Sequence, residues 1–122
     1  MANKLLVVML NTDPARPSEL GSPLLQASAA AAMEYDVEVI LTGGAARLAV
    51  RGVAESLRTH EGARKTIYDL LREAHQAGVV FKVSTSAVEI WGNDLIPEVE
   101  ESVGGAYIIS EAMDEDTVVL TY

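Results

Sequence analysis

The chain contains no cysteine and only two histidines in 122 residues. The first absence excludes disulfides, thiolate metal sites and any reaction that passes through a thiol. Basic residues are scarce as well: nine Lys and Arg face 18 Asp and Glu, for a formal charge of −9. Each phosphate contact needs a local cation, so nucleic acid and anionic membrane are poor partners. No cluster holds more than two basic residues. Long apolar runs are missing too, and nothing approaches the ~18 residues of a membrane span. Lys4 ahead of the apolar run Leu5–Leu10 has the look of a signal peptide within MANKLLVVML. Asn11-Thr12-Asp13-Pro14 breaks that run without a small-residue cleavage pattern, so a first strand is the better reading. We therefore expect a soluble, cytoplasmic protein.

At this length the chain, residues 1–122, forms one domain. About two-thirds of its unfolded surface can be buried, enough for a core without staples. With 49% hydrophobic residues it is too apolar for disorder and rich for a small monomer, which hints at a buried subunit interface.

The order of segments gives the architecture. Leu5–Leu10 (LLVVML) is short, wholly apolar and stopped by polar turn residues, as suits a strand covered on both faces. After a loop over 11–21, Ser22-Pro23 opens a helix, with proline at its first position and the alanine-rich LLQASAAAAMEY behind it. Val37–Leu41 reads as the second strand, ending in Thr42-Gly43-Gly44, and a short helix over Ala45–Val50 follows. Residues 51–62 read as a surface connection. From Ala63 to Ala77 the positions Ile67, Leu70, Leu71, Ala74 and Ala77 mark one helical face, and Gly78 ends the helix. Val79–Val83 is a third strand, Thr85–Trp91 a helix, Asp94–Pro97 a turn and Glu98–Val103 a fourth strand. Gly104-Gly105 opens a last helix over Ala106–Met113, and TVVLTY is the fifth strand. Alternating strands and helices predict an α/β fold, a three-layer α/β/α sandwich around a parallel sheet of about five strands.

In such sheets ligands bind outside the carboxyl ends of the strands. Three loops qualify: Asn11–Asp13, Thr42–Gly44 and Ser84–Ser86. The hydroxyls of Ser84, Thr85 and Ser86 stand where a strand runs into a helix, so they either cap the helix or help hold an anion. A nucleophilic serine needs a base and an orienting acid, and the G-x-S-x-G elbow is absent. Gly43-Gly44 allows close backbone approach but lacks the dinucleotide spacing and the phosphate-loop lysine, so no cofactor is expected. His60-Glu61 starts like a zinc-protease motif without its second histidine, so no metal is expected either. His75 reads as a helix-edge residue. The acids Glu98, Glu100, Glu101, Asp114, Glu115 and Asp116 read as solvated turns. Trp91, the single tryptophan, is either a core anchor or a subunit contact.

The KLLVVML strand, VEVILTGGA, GVVFKVSTSAVEIWG and the closing GGAYIISEAMDEDTVVLTY together resemble the DsrE/DsrF-like family over nearly the whole chain. That resemblance implies a flavodoxin-like sandwich and assembly as a homo-oligomer, a trimer or hexamer. It also implies sulfur relay through a persulfide on a cysteine after the third strand. Counted back from Gly92, that cysteine's position falls at Ser84. A hydroxyl cannot carry a persulfide, so persulfide sulfurtransferase chemistry is not possible for this chain. The expectation is a non-catalytic, oligomeric module that binds a small anionic ligand or a partner protein. Its crevice is lined by Asn11, Thr12, Gly43, Gly44, Ser84 and Thr85. The alternatives are an accessory subunit of a sulfur-relay system docking with a cysteine-bearing partner, and an enzyme of unknown chemistry with an anion-binding crevice.

Overall fold

A computed structural model describes residues 3–122, so Met1 and Ala2 of the opening segment lie outside the described residues. The strands are β1 (Lys4–Met9), β2 (Asp36–Leu41), β3 (Val80–Ser84), β4 (Val99–Val103) and β5 (Thr117–Thr121). They form one sheet in the order β4-β3-β2-β1-β5, with every neighbour parallel. The helices are α1 (Gly21–Ala32), α2 (Ile67–Gln76), α3 (Thr85–Trp91) and α4 (Gly105–Ala112). Short 3-10 segments cover Pro17–Glu19, Gly43–Ala49 and Ala54–Ser56.

Strand order decides which face each helix takes. From β1 to β4 the chain steps one way across the sheet, so right-handed crossovers lay the connecting helices α1, α2 and α3 on one face. The return from β4 to β5 runs over the other face and leaves α4 there alone. The three-layer sandwich is therefore lopsided. Alternation along each strand feeds both sides. Val7, Met9, Val39, Leu41, Phe81 and Val83 pack forward against Leu24, Ala27, Ile67, Leu71 and Ala87. Leu6, Ile40 and Val103 point backward under Tyr107, Ile108 and Ala112 of α4. Because both faces are covered, β1 and β2 read as nearly continuous apolar runs.

The back layer also contains charge. Glu38 is 5% exposed. Its carboxylate accepts from Tyr107 Oη at 2.7 Å, from Lys4 Nζ at 2.9 Å and meets Lys82 Nζ at 3.2 Å. Lys4 also reaches Glu111, Lys82 reaches Glu101, and Lys82 Nζ donates to Tyr107 Oη at 2.7 Å. Burial opposes the charge on Glu38, but its three partners outweigh that and hold the carboxyl below its ordinary value. Burial likewise pulls Lys82 down, and its bonds to Tyr107, Glu101 and Glu38 reverse that, leaving it well above an ordinary lysine. This network ties α4 to β1, β2 and β3. Glu101, read as a solvated acid, is one of its members. Glu98 likewise has a partner, the Tyr68 hydroxyl at 2.8 Å.

Four local expectations need correction. The helix expected from Ala63 starts at Ile67, because Thr66 and Asp69 form a capping box that ends the preceding loop. Thr66 N–H donates to Asp69 Oδ2 at 2.9 Å and Asp69 N–H to Thr66 Oγ1 at 3.1 Å. Ala77, placed on its apolar face, is instead the exposed cap at its end. Pro23 is the third residue of α1, not the first, and its missing N–H still costs nothing within the first turn. The connection over 51–62 is mostly surface, yet Ala54 is wholly buried in it.

Candidate functional site

Because β1, β2 and β3 lie side by side and parallel, their carboxyl ends bring the three candidate loops to one edge of the sandwich. The register pairs Leu41 with Val83, so Thr42 and Ser84 come next and on the same side. Thr42 Oγ1 donates to Ser84 Oγ at 3.0 Å. Ser84 is also the N-cap of α3, where its Oγ accepts the Ala87 N–H at 3.3 Å. Only 4% of Ser84 is exposed, while Thr85 and Ser86 face outward. The capping reading of this turn therefore describes Ser84, and Thr85 is left at the surface.

Trp91, at the far end of α3, points its indole N–H to the Gly43 carbonyl at 3.1 Å. Gly43 has φ +56, and a Cβ there would lie 2.6 Å from Leu10 Cδ1. The turn that aims this carbonyl thus needs glycine. Trp91 is 40% exposed, so it is not a core anchor. Arg47, on the 3-10 segment after Gly43, lies over its ring at 5.4 Å. Arg47 Nη2 reaches Asp13 Oδ1 at 2.9 Å and so fastens the first loop to the second. The Ala15 N–H, with some opposition from burial and further help from Arg47 and Arg16, holds the Asp13 carboxyl below its usual range.

These joints involve Gly43 and Ser84 of the expected residues, and Thr12 lies buried next to Asp13. Asn11 and Gly44 lie at the surface of the same edge. Three residues that make the joints, Asp13, Thr42 and Arg47, were not among the expected lining residues. The signal for Arg47 was present: it is the single charge inside GGAARLAV, a segment otherwise small or apolar. Two buried polar atoms at this edge have no hydrogen-bond partner among the described residues, Thr12 Oγ1 and Arg47 Nε.

Neither histidine belongs to this edge's hydrogen bonding. His60 is on an exposed loop beside Thr59 Oγ1, and His75, in the last turn of α2, stands 3.9 Å from Glu100. The hydroxyl of Ser84 therefore meets Thr42, Ala87 and, at a long 3.5 Å, Ser86, with no base among its partners. Among the described residues no group of three or more His, Asp or Glu converges to hold a metal ion. Concavities of about 410 Å³ and 510 Å³ lie elsewhere. The first is at the amino ends of the strands around Lys4, Tyr35, Glu38 and Gly78, the second beside the 58–63 loop.

A parallel α/β sandwich with polar strand ends and a single helix on its back defines the class of protein. The chain matches the DsrE/DsrF-like family over residues 4–122 and belongs to it. The crystal structure of the YchN protein from E. coli shares the fold, with a TM-score of 0.76 and 21% identity over the full length of both chains. At that identity the likeness concerns the fold alone. No curated protein matches the chain. No helix among the described residues is long and apolar enough to cross a membrane.

Proposed function

We propose that this protein is a non-catalytic member of the DsrE/DsrF-like family that works as a homo-oligomer, a trimer or hexamer. In this reading it receives a small anionic ligand or a partner protein at the edge formed by Asn11, Thr12, Gly43, Gly44, Ser84 and Thr85. The observation that supports it is how the Ser84 hydroxyl is used. It is buried, caps α3 and accepts from Thr42, so the position matched to the family's sulfur carrier serves the fold. The family is connected with sulfur relay, and a serine there breaks the relay chemistry.

Oligomerisation is supported by the unfinished β5 end of the sandwich. Front-facing Val118 and Leu120 are 49% and 38% exposed because no front helix extends past α1. Ile109 on α4 and Met113, the C-cap one turn further on, are 64% and 77% exposed. These are exposed apolar residues on both faces beside the open β5 edge, a combination that favours burial against another chain. Light scattering on the purified protein tests this. A stable oligomer that falls to monomer in Val118→Glu/Leu120→Glu supports the reading, and a monomeric parent at micromolar concentration refutes it.

A second reading is an accessory subunit in sulfur relay that docks with a cysteine-bearing partner, as the family connection suggests. It predicts that the parent takes no labelled sulfur from polysulfide, whereas Ser84→Cys does, because a thiol at a helix N-cap is acidified. Uptake by the parent would contradict both readings.

A further inference from the structure

Resting on that crevice reading, we propose that Arg47 anchors the ligand's anionic group, a carboxylate, phosphate or sulfonate, and that Asp13 occupies this anchor until the ligand displaces it. An arginine has five N–H donors in a fixed fork. Arg47 gives one, on Nη2, to Asp13, and its buried Nε has no partner among the described residues. A buried donor on a charged group is costly to leave unmade, so a site that keeps one is short of an acceptor. The neighbour of Asp13 shows the same shortage. Thr12 is 7% exposed and its Oγ1 is also unpartnered.

The present occupant is replaceable. Asp13 touches Arg47 through a single oxygen, and its side chain is 45% exposed. Exposed single-contact ion pairs contribute little. A free oxyanion engaging Nε and Nη2 side by side makes the stronger, two-bond arrangement. The guanidinium is already aimed, since it stacks on Trp91, and Trp91 is fixed by its bond to Gly43. In a chain of net charge −9, Arg47 and, on the first loop, Arg16 are positive groups near this edge. Arg16 is engaged with Glu19.

Trp91 is the only tryptophan, so its fluorescence reports on this one place. The test is a titration of the full chain with acetate, phosphate and sulfate at constant ionic strength, with chloride as the reference anion. A saturable change in Trp91 emission is expected with at least one of the three, and the most effective one identifies the acid class. Arg47→Gln should weaken that response by about tenfold or more, since it removes a charge-assisted pair of hydrogen bonds. Asp13→Asn should tighten it a few-fold, a gain that misfolding cannot imitate. Identical responses to all four anions, an Arg47→Gln variant of unchanged affinity, or weaker binding in Asp13→Asn would each overturn the proposal. If none of the anions perturbs Trp91, the role of Arg47 fails while the crevice reading stands in its partner-protein form. If anions bind to a protein that is monomeric, the oligomer reading fails and the role of Arg47 stands.

Discussion

Replacing Ser84 by alanine tests whether its hydroxyl belongs to the fold. Two bonds are lost. As the N-cap of α3, Ser84 accepts the Ala87 N–H, and losing a serine cap costs about 1 kcal/mol. The Thr42 hydroxyl, part-buried, loses its acceptor at 3.0 Å, which costs about 0.5–1 kcal/mol because water reaches it only in part. The total is about 2 kcal/mol, equivalent to a fall in Tm of about 8 °C in a domain of this size. Urea unfolding at one fixed protomer concentration measures it, since subunit association would otherwise shift the midpoint. Thr42→Val supplies the control: the double variant should cost less than the two single changes added, by about 0.5 kcal/mol. A Ser84→Ala protein that unfolds within about 0.5 kcal/mol of the parent, the range of ordinary surface changes, would refute the reasoning. The hydroxyl would then be free of structural duty and available for chemistry.

Glu38→Ala should destabilise by about 3 kcal/mol, the lower end for breaking a buried ion pair, because Lys4 and Lys82 keep Glu111 and Glu101 as partners. Chemical denaturation checks this, and a change under 1 kcal/mol would mean that the back layer is held by its apolar contacts alone. Stability should also follow pH with two limbs. Glu38 is held below its unfolded value of 4.5, so its contribution is full above that pH and is lost as pH falls through the folded value. Lys4 and Lys82 are raised above 10.5, so theirs is full below that pH and fades as pH rises past it. Urea midpoints across pH should therefore plateau between these limits, and Glu38→Gln should shallow the acid limb without removing it, since Asp13 and Asp69 are lowered too. Gly43→Ala should cost about 1–2 kcal/mol from its left-handed backbone and shift Trp91 emission as the carbonyl turns away; an unchanged spectrum would contradict the Trp91–Gly43 bond.

Much of the fold was legible because its signals are local. Apolar runs bounded by Asn-Thr-Asp-Pro or Thr-Gly-Gly mark strands covered on both faces, and their alternation with helices leaves parallel pairing as the consistent solution. The start of α2 was misplaced because the pattern of Arg64 and Lys65 extends the helical spacing backward, while the capping box of Thr66 and Asp69 halts it. The strand ends were legible as a place, but the contacts made there depend on register. Nothing in the order of residues says that Thr42 will face Ser84, or that Asp13 will meet Arg47 across 34 positions. Glu38 and Lys82 were passed over inside apolar strands for the same reason. A charge there is explained only once α4 folds over it and Tyr107 arrives from 69 residues away.

The position of β5 bears on when the domain can form as it leaves the ribosome. Strands β1 to β4 pair in the order in which they are made, so each new strand finds a template already waiting. The other margin of β1 must stay bare until Thr117–Thr121 has emerged, together with the apolar underside that α4 later shields. A nascent chain stalled before that point would present its most hydrophobic strand to any neighbour, and a holding chaperone would be expected to bind there.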